Sequence, residues 1–143
     1  MEQETFREIV STTYHRTTTG QVVRTMKNKN KILWDYEGGS GIKTGFTKSA
    51  GKCLVFSAEQ NGMTLIGVVL NCPAMFEDAK AMLDYGFENY ELVSVLKQGA
   101  PAARVPVDNG MKNALALVAK EDIIIPIKKG ESITLETRVE CPA

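Results

Sequence analysis

Lys52-Cys53-Leu54-Val55-Phe56-Ser57-Ala58-Glu59-Gln60-Asn61-Gly62-Met63-Thr64-Leu65-Ile66-Gly67-Val68-Val69-Leu70 reads as two apolar runs joined by an Asn-Gly pair. Both turn residues tolerate positive φ, so Asn61-Gly62 is a strong hairpin signal between strands Lys52–Ala58 and Met63–Leu70. Just before them, Ser49-Ala50-Gly51 is turn-like, and Ile42–Thr47 reads as a third strand. The three make an antiparallel meander. Cys53-Leu54-Val55-Phe56 is apolar at successive positions, so the sheet is expected to be covered on both faces.

The meander is followed by helical periodicity. Pro73 suits the first turn of a helix, because its φ is fixed and its missing N–H costs nothing there. Phe76, Ala79, Leu83, Phe87 and Tyr90 recur every three or four residues, with Met75 and Met82 widening the stripe. An amphipathic helix running to about Tyr90 and packed on the sheet is expected. Upstream, Thr5–Ser11 places Phe6, Ile9 and Val10 at helical spacing. Thr12–Thr19 favours extended structure, and Gln21–Met26 is expected to return as a second strand. Lys27–Lys31 reads as loop, and Ile32-Leu33-Trp34-Asp35-Tyr36 as a short apolar anchor before the glycines at 38, 39 and 41.

Near Lys97-Gln98-Gly99-Ala100-Pro101 the texture changes to short β-type runs at Ala102–Val107, Ala114–Val118, Ile123–Ile127 and Ser132–Val139. A boundary near 93–98 is expected. The fold class is therefore α+β: a meander with a packed helix over 1–95, then a small all-β module over 96–143.

Composition excludes little. In 143 residues, Lys+Arg and Asp+Glu each count 17, so no net charge steers the chain to nucleic acid or to a membrane surface. The stretch Arg24, Lys27, Lys29, Lys31 reads as a solvated loop. Cys53, Cys72 and Cys141 are too few and too far apart for a disulfide framework or a zinc knuckle. No apolar run approaches the roughly 20 residues of a membrane span, and no signal peptide opens the sequence. Neither a metal nor a cofactor is implied. His15 is the only histidine, with no serine–carboxylate context around it. Asp35, Glu37, Asp78 and Asp84 form no recognisable acid–base pair.

The chemistry concentrates at Lys43-Thr44-Gly45, behind the glycine-rich approach Gly38-Gly39-Ser40-Gly41. Lys43 supplies a cation, Thr44 a hydroxyl, and Gly45 a backbone that another chain can approach closely. The next amide, Phe46 N–H, is placed to meet a developing oxyanion. Together they would grip a carboxylate lying along a strand edge. In an ideal pleat Lys43 and Thr44 point to opposite faces, so both reach one ligand only at a twisted edge or strand start.

The sequence resembles the serine D-alanyl-D-alanine carboxypeptidases, the low-molecular-mass penicillin-binding proteins. The resemblance is carried by Ile32-Leu33-Trp34-Asp35, Gly41-Ile42-Lys43-Thr44-Gly45-Phe46-Thr47, Ala50–Ala58, Asn61–Leu70 and Leu83–Tyr90. It implies an acyl-enzyme mechanism built on Ser-x-x-Lys, Ser-x-Asn and Lys-Thr-Gly motifs. On that resemblance Lys43 is catalytic and substrate-binding, and Thr44, Gly45 and the Phe46 amide are substrate-binding. The partners would be peptidoglycan stem peptides ending in D-Ala-D-Ala, and β-lactams. Action would be outside the cytoplasmic membrane, usually with a C-terminal amphipathic anchor. A serine β-lactamase shares the Lys-Thr-Gly strand but would end near its last helix. A non-catalytic module binding peptides by strand addition is the other alternative.

Two motifs are missing. Ser-x-x-Lys occurs at Ser40–Lys43, Ser49–Lys52 and Ser94–Lys97, none in a helix-opening context, and Ser-x-Asn occurs nowhere. The expectation is a part of a longer protein, holding the C-terminal portion of the peptidase domain and the start of the β-rich domain that follows. Such a chain would be inactive alone. It would expose apolar surface or a sheet edge through which it could dimerise, swap strands or aggregate.

Overall fold

A computed structural model describes residues 3–20, 22–107, 110–134, 138 and 140. The chain divides into two compact units, Met1–Glu88 and Asn89–Ala143.

In the first unit, helix α1 (Glu4–Ser11) leads into a two-stranded ribbon, β1 (Tyr14–Arg16) and β2 (Thr25–Lys27), paired antiparallel. This ribbon matches the two extended runs expected around Gly20, although Gln21 lies outside the described residues. Ile32–Asp35, expected only as an apolar anchor, forms a one-turn helix, α2. Asn30 nucleates it, accepting the Ile32 N–H on its Oδ1 at 3.1 Å.

The meander is present as expected. β3 (Gly39–Thr47), β4 (Gly51–Gln60) and β5 (Met63–Val69) form an antiparallel sheet in the order β3-β4-β5. β3 begins three residues earlier than its apolar run suggested. Gly39 pairs with Ala58 and Gly41 with Ser57, so a bulge absorbs the glycines into the strand. Asn61 (φ +51°) and Gly62 (φ +78°) make the tight turn the Asn-Gly pair demands.

α3 (Met75–Asn89) covers one face of the sheet. It starts at Met75 rather than at Pro73; its first bond runs from the Asp78 N–H to the Ala74 carbonyl. The core joins Leu54, Phe56 and Ala58 of β4, Ala79 and Leu83 of α3, and Ile32 of α2. Strand alternation sends Val55 and Ser57 to the other face, where Ser57 is buried and shares a 2.6 Å hydrogen bond with Ser40. α1 lies over part of that face, its Val10 buried. Ile66 and Val68 there stay 55% and 51% exposed. Full cover of both faces is therefore not met within the first unit.

The second unit holds β6 (Tyr90–Leu96) paired antiparallel with β9 (Ile123–Lys128), and β7 (Pro101–Pro106) paired with β8 (Ala114–Val118). β6 was not anticipated. Its apolar residues Leu92, Val93, Val95 and Leu96 follow the helical stripe without a breaking Gly or Pro, so periodicity runs through the junction. Ser132, Ile133 and Thr134 form no strand, and most of the remainder of that expected run lies outside the described residues.

Candidate functional site

β3 is an edge strand, with β4 on one side and no strand on the other among the described residues. A groove of about 510 Å³ runs along it, lined by Lys43, Thr44, Gly45 and Phe46 together with Lys29, Lys52, Met75 and Phe76. The four residues singled out in the sequence thus line one cleft. Cross-strand register places Lys43 opposite Val55 and Thr44 opposite Leu54, hence on opposite faces. Thr44, Phe46 and Lys52 share the face of Leu54, the α3 side of the sheet, on which Met75 and Phe76 also lie.

The local backbone is built for this. Gly41 sits at φ +88°, and an added Cβ would stand 2.6 Å from the Val10 carbonyl of α1. Ile42 follows at φ +118°, where a β-branched residue is an outlier. The chain is turned by the bulge and by two positive-φ residues just before Lys43. Lys43 Nζ donates to the Thr44 carbonyl at 2.6 Å. Phe46 is 69% exposed at the rim, in register with Lys52 across the β3/β4 pair.

Three lining residues were not found by sequence reasoning: Lys52 of β4 and Met75 and Phe76 of α3, which no local pattern ties to Lys43. Lys29 belongs to the stretch that reads as a solvated loop and is exposed, and its loop is anchored on both sides. Asn28 Nδ2 donates to the Val10 carbonyl (3.3 Å) and the Thr12 carbonyl (3.1 Å), and its Oδ1 accepts the Asn30 N–H (3.0 Å). Asn30 is 1% exposed. Lys31 lies over the Phe76 ring, 5.6 Å from its centroid. A second cation–π contact sets Lys27 over Trp34 at 4.3 Å.

None of the Ser-x-x-Lys matches forms a serine–lysine pair on a helix. Ser40 and Lys43 both lie in β3, and Ser40 faces Ser57 and the α1 side of the sheet. Ser49 is in the turn before β4, bonded to Thr47 at 3.2 Å, while Lys52 Nζ donates to the Pro73 carbonyl at 3.3 Å. Ser94 is in β6 and Lys97 lies just past it. His15 is exposed in β1. Three of the four acids weighed from the sequence are engaged elsewhere. Asp35 pairs with Lys80 (3.8 Å), Asp84 accepts the Tyr36 hydroxyl (2.8 Å), and Asp78 accepts the Cys72 thiol (2.9 Å). Burial, then the Asp84 hydrogen bond and charge, hold the Tyr36 phenol well above its ordinary pKa. The Asp78 hydrogen bond raises the Cys72 thiol. Among the described residues no group of His, Cys, Asp and Glu is placed to hold a metal.

The chain matches the family model for D-alanyl-D-alanine carboxypeptidase over residues 2–74, and that for the C-terminal domain of penicillin-binding protein 5 over 90–143. It is 35% identical over 109 residues to the D-alanyl-D-alanine carboxypeptidase DacF of Bacillus subtilis, covering 74% of this chain and 28% of that one. Penicillin binding protein 5 from Haemophilus influenzae superposes with a TM-score of 0.71 at 33% identity, over 89% of this chain and 37% of that chain. A Streptococcus pneumoniae structure described as a peptidoglycan synthesis regulatory factor (PBP3) gives 0.74 at 29% identity, over 91% and 39%. The chain spans 28% to 33% of the length of the first curated relatives it matches. With a family-model match over residues 2–74 and relatives of this similarity, the chain belongs to the D-alanyl-D-alanine carboxypeptidase family of penicillin-binding proteins.

Proposed function

We propose that this chain supplies one wall of the active site of a serine-type D-Ala-D-Ala carboxypeptidase, a wall that holds the substrate's terminal carboxylate. The observation that carries this reading is the single groove along edge strand β3 shared by Lys43, Thr44, Gly45 and Phe46. A peptide laid along that edge adds as a strand. Lys43 then faces its terminal carboxylate and takes part in proton transfer, and Thr44 donates a hydrogen bond to the same group. Gly45 leaves room for the peptide backbone, and the Phe46 N–H supports the oxyanion that develops at the scissile carbonyl.

The nucleophile in this reading is a serine that opens a helix in another part of the protein. None of the serines three residues before a lysine stands at a helix start here. The substrate is a peptidoglycan stem peptide, the reaction passes through an acyl-enzyme, and β-lactams acylate the same serine. The protein works outside the cytoplasmic membrane. We place the end of the peptidase portion at the junction of α3 and β6, earlier than the 95/96 boundary expected from the sequence, and the β-rich domain after it. The exposed β5 edge and the apolar Ile66–Val68 face make self-association of this chain through strand exchange part of the same proposal.

The test is fluorescent-penicillin labelling of this chain and of the complete gene product that carries it, followed by hydrolysis of an acetylated L-Lys-D-Ala-D-Ala tripeptide. The complete product is expected to be labelled and active, and Lys43→Ala to remove the activity. The isolated chain is expected to stay unlabelled. Covalent labelling of the chain alone, or full activity of Lys43→Ala, would overturn the reading.

A further inference from the structure

The Lys43–Phe46 segment lies on an edge strand, so its placement depends on how β3 is entered. The register shifts at that entry. Gly39 pairs with Ala58 and Gly41 with Ser57, which leaves Ser40 as the extra residue of the bulge. Ser57 is 0% exposed, and β4 around it reads Leu54, Val55, Phe56 and Ala58. A hydroxyl in that setting is costly unless it is bonded. Its partner is the Oγ of half-buried Ser40 at 2.6 Å. The neighbours of Ser40 cannot take its place, because both are glycines. Both are also enclosed by backbone: a Cβ on Gly39 would overlap the Ile32 carbonyl of α2, and one on Gly41 would press on the Val10 carbonyl of α1. A slip of β3 by one residue would set a glycine where Ser40 stands and leave the Ser57 hydroxyl buried without its partner. The same slip would carry Lys43 to the other face of the sheet.

We infer that the Ser40–Ser57 hydroxyl pair is a register latch, and that these two serines are positioning residues for the substrate-binding wall. They act by setting where Lys43 and Thr44 meet the terminal carboxylate in the function proposed above, on which this inference rests. Lys43 stands opposite Val55, the next residue of β4 on the Ser57 face, so it follows the latch closely along the strand. Phe46 is paired with Lys52 at the far end, beside the turn that joins β3 to β4. Opening the latch therefore displaces the carboxylate contacts more than the Phe46 amide. Beyond the bulge the β3/β4 ladder stays paired, so the effect is a shift and not a detachment. A misplacement of about 1 Å can cost roughly a hundredfold in rate, and a partial shift of this kind roughly threefold to thirtyfold. The loss falls on a substrate that offers a carboxylate and largely spares one that does not.

The experiment measures kcat/KM of the complete gene product that carries this chain, on two thioesters that release a thiol. One joins acetyl-L-Lys-D-Ala to D-thiolactate, whose carboxylate is free; the other carries an amide in place of that carboxylate. Wild type is expected to favour the acid. Ser40→Ala and Ser57→Ala should each lower the rate on the acid roughly threefold to thirtyfold, and on the amide less than about twofold. The double variant should be no slower than the slower single one, and Ser40→Thr, which keeps a hydroxyl, should retain most of the rate. Folding is read separately, from the urea midpoint of the 143-residue chain. Ser40→Ala strands a buried hydroxyl, whereas Ser57→Ala leaves one that water can reach, so Ser40→Ala should lower the midpoint more. Ser57→Ala decides the case should Ser40→Ala not fold. Rate losses that follow the midpoints, that strike acid and amide alike, or that add in the double variant overturn the latch, as does an unchanged rate; each leaves the carboxylate wall standing. A wild type that treats acid and amide alike overturns both.

Discussion

Gly67 is where the sheet and its core can be tested most sharply. It pairs with Phe56 across β4 and β5, and Phe56 is 1% exposed at the centre of the core. A Cβ at position 67 would overlap the Cζ, Cε1 and Cε2 atoms of that ring. The β5 backbone cannot retreat freely, because Ile66 and Val68 are held in register with Ser57 and Val55. Overpacking of this kind costs about 1–3 kcal/mol. Alanine recovers about 0.5–1 kcal/mol through the smaller entropy loss of its backbone. Gly67→Ala is therefore expected to destabilise the first unit by about 1–2 kcal/mol. Trp34 is the only tryptophan and lies in α2 of that unit, so its fluorescence reports this transition during urea unfolding. With m near 1–3 kcal/mol/M, the midpoint should fall by roughly 0.3–2 M. The cause is isolated by repeating the change in a Phe56→Leu background, where the ring atoms are gone. There Gly67→Ala should cost less than about 0.5 kcal/mol. An unchanged or raised midpoint for the single variant, or the same cost in both backgrounds, would refute the packing argument.

Asn28→Ala removes three side-chain hydrogen bonds at 3.0–3.3 Å and should cost about 2–3 kcal/mol in the same urea assay; a loss under about 0.5 kcal/mol would show that the loop holds itself. Tyr36 has its pKa raised by burial, then by the hydrogen bond and charge of Asp84. The protonated phenol is therefore favoured in the folded state. Its contribution is complete below the ordinary value near 10 and is lost as pH climbs above it. Between pH 9 and 11 the wild-type midpoint should fall more steeply than that of Tyr36→Phe, and parallel curves would sink the assignment. The Cys72 thiol is held protonated mainly by its hydrogen bond to Asp78, so Asp78→Asn should speed its alkylation by iodoacetamide at pH 8. Peptide mass mapping distinguishes it from Cys53 and Cys141, and an unchanged rate counts against the bond.

Much of the fold was legible because its signals are local. Asn61-Gly62 specifies a turn through the φ values it tolerates, and the apolar runs around it leave little choice of register. The stripe from Phe76 to Phe87 needs only 3.6-residue periodicity. β6 was hidden because helix and strand meet at Asn89 and Tyr90 with no breaker between them. The contact boundary accordingly falls at Glu88/Asn89, earlier than the change in composition near 97. The cleft was hidden for a different reason. Lys29, Lys52 and Phe76 reach it from a loop, an inner strand and a helix, and only the completed fold brings them to Lys43.

The strand entry shows how a motif of three residues depends on its approach. An edge strand alternates its side chains, so regular pleating would direct Lys43 and Thr44 to opposite sides of the sheet. Just before Lys43 the strand departs from regular pleating, through a bulge and two positive-φ residues. Gly41 permits the turn because any larger residue would meet the Val10 carbonyl. Ile42 holds a backbone conformation that costs a β-branched residue of order 1–3 kcal/mol. It persists because Ile42 pairs with Phe56 in the register that the core fixes. The strain is thus sustained by the packing of β4 against α3, whose Met75 and Phe76 also line the groove. A substitution that loosens that core should disturb the Lys43 segment before the Asn61-Gly62 hairpin, whose turn residues carry no comparable strain.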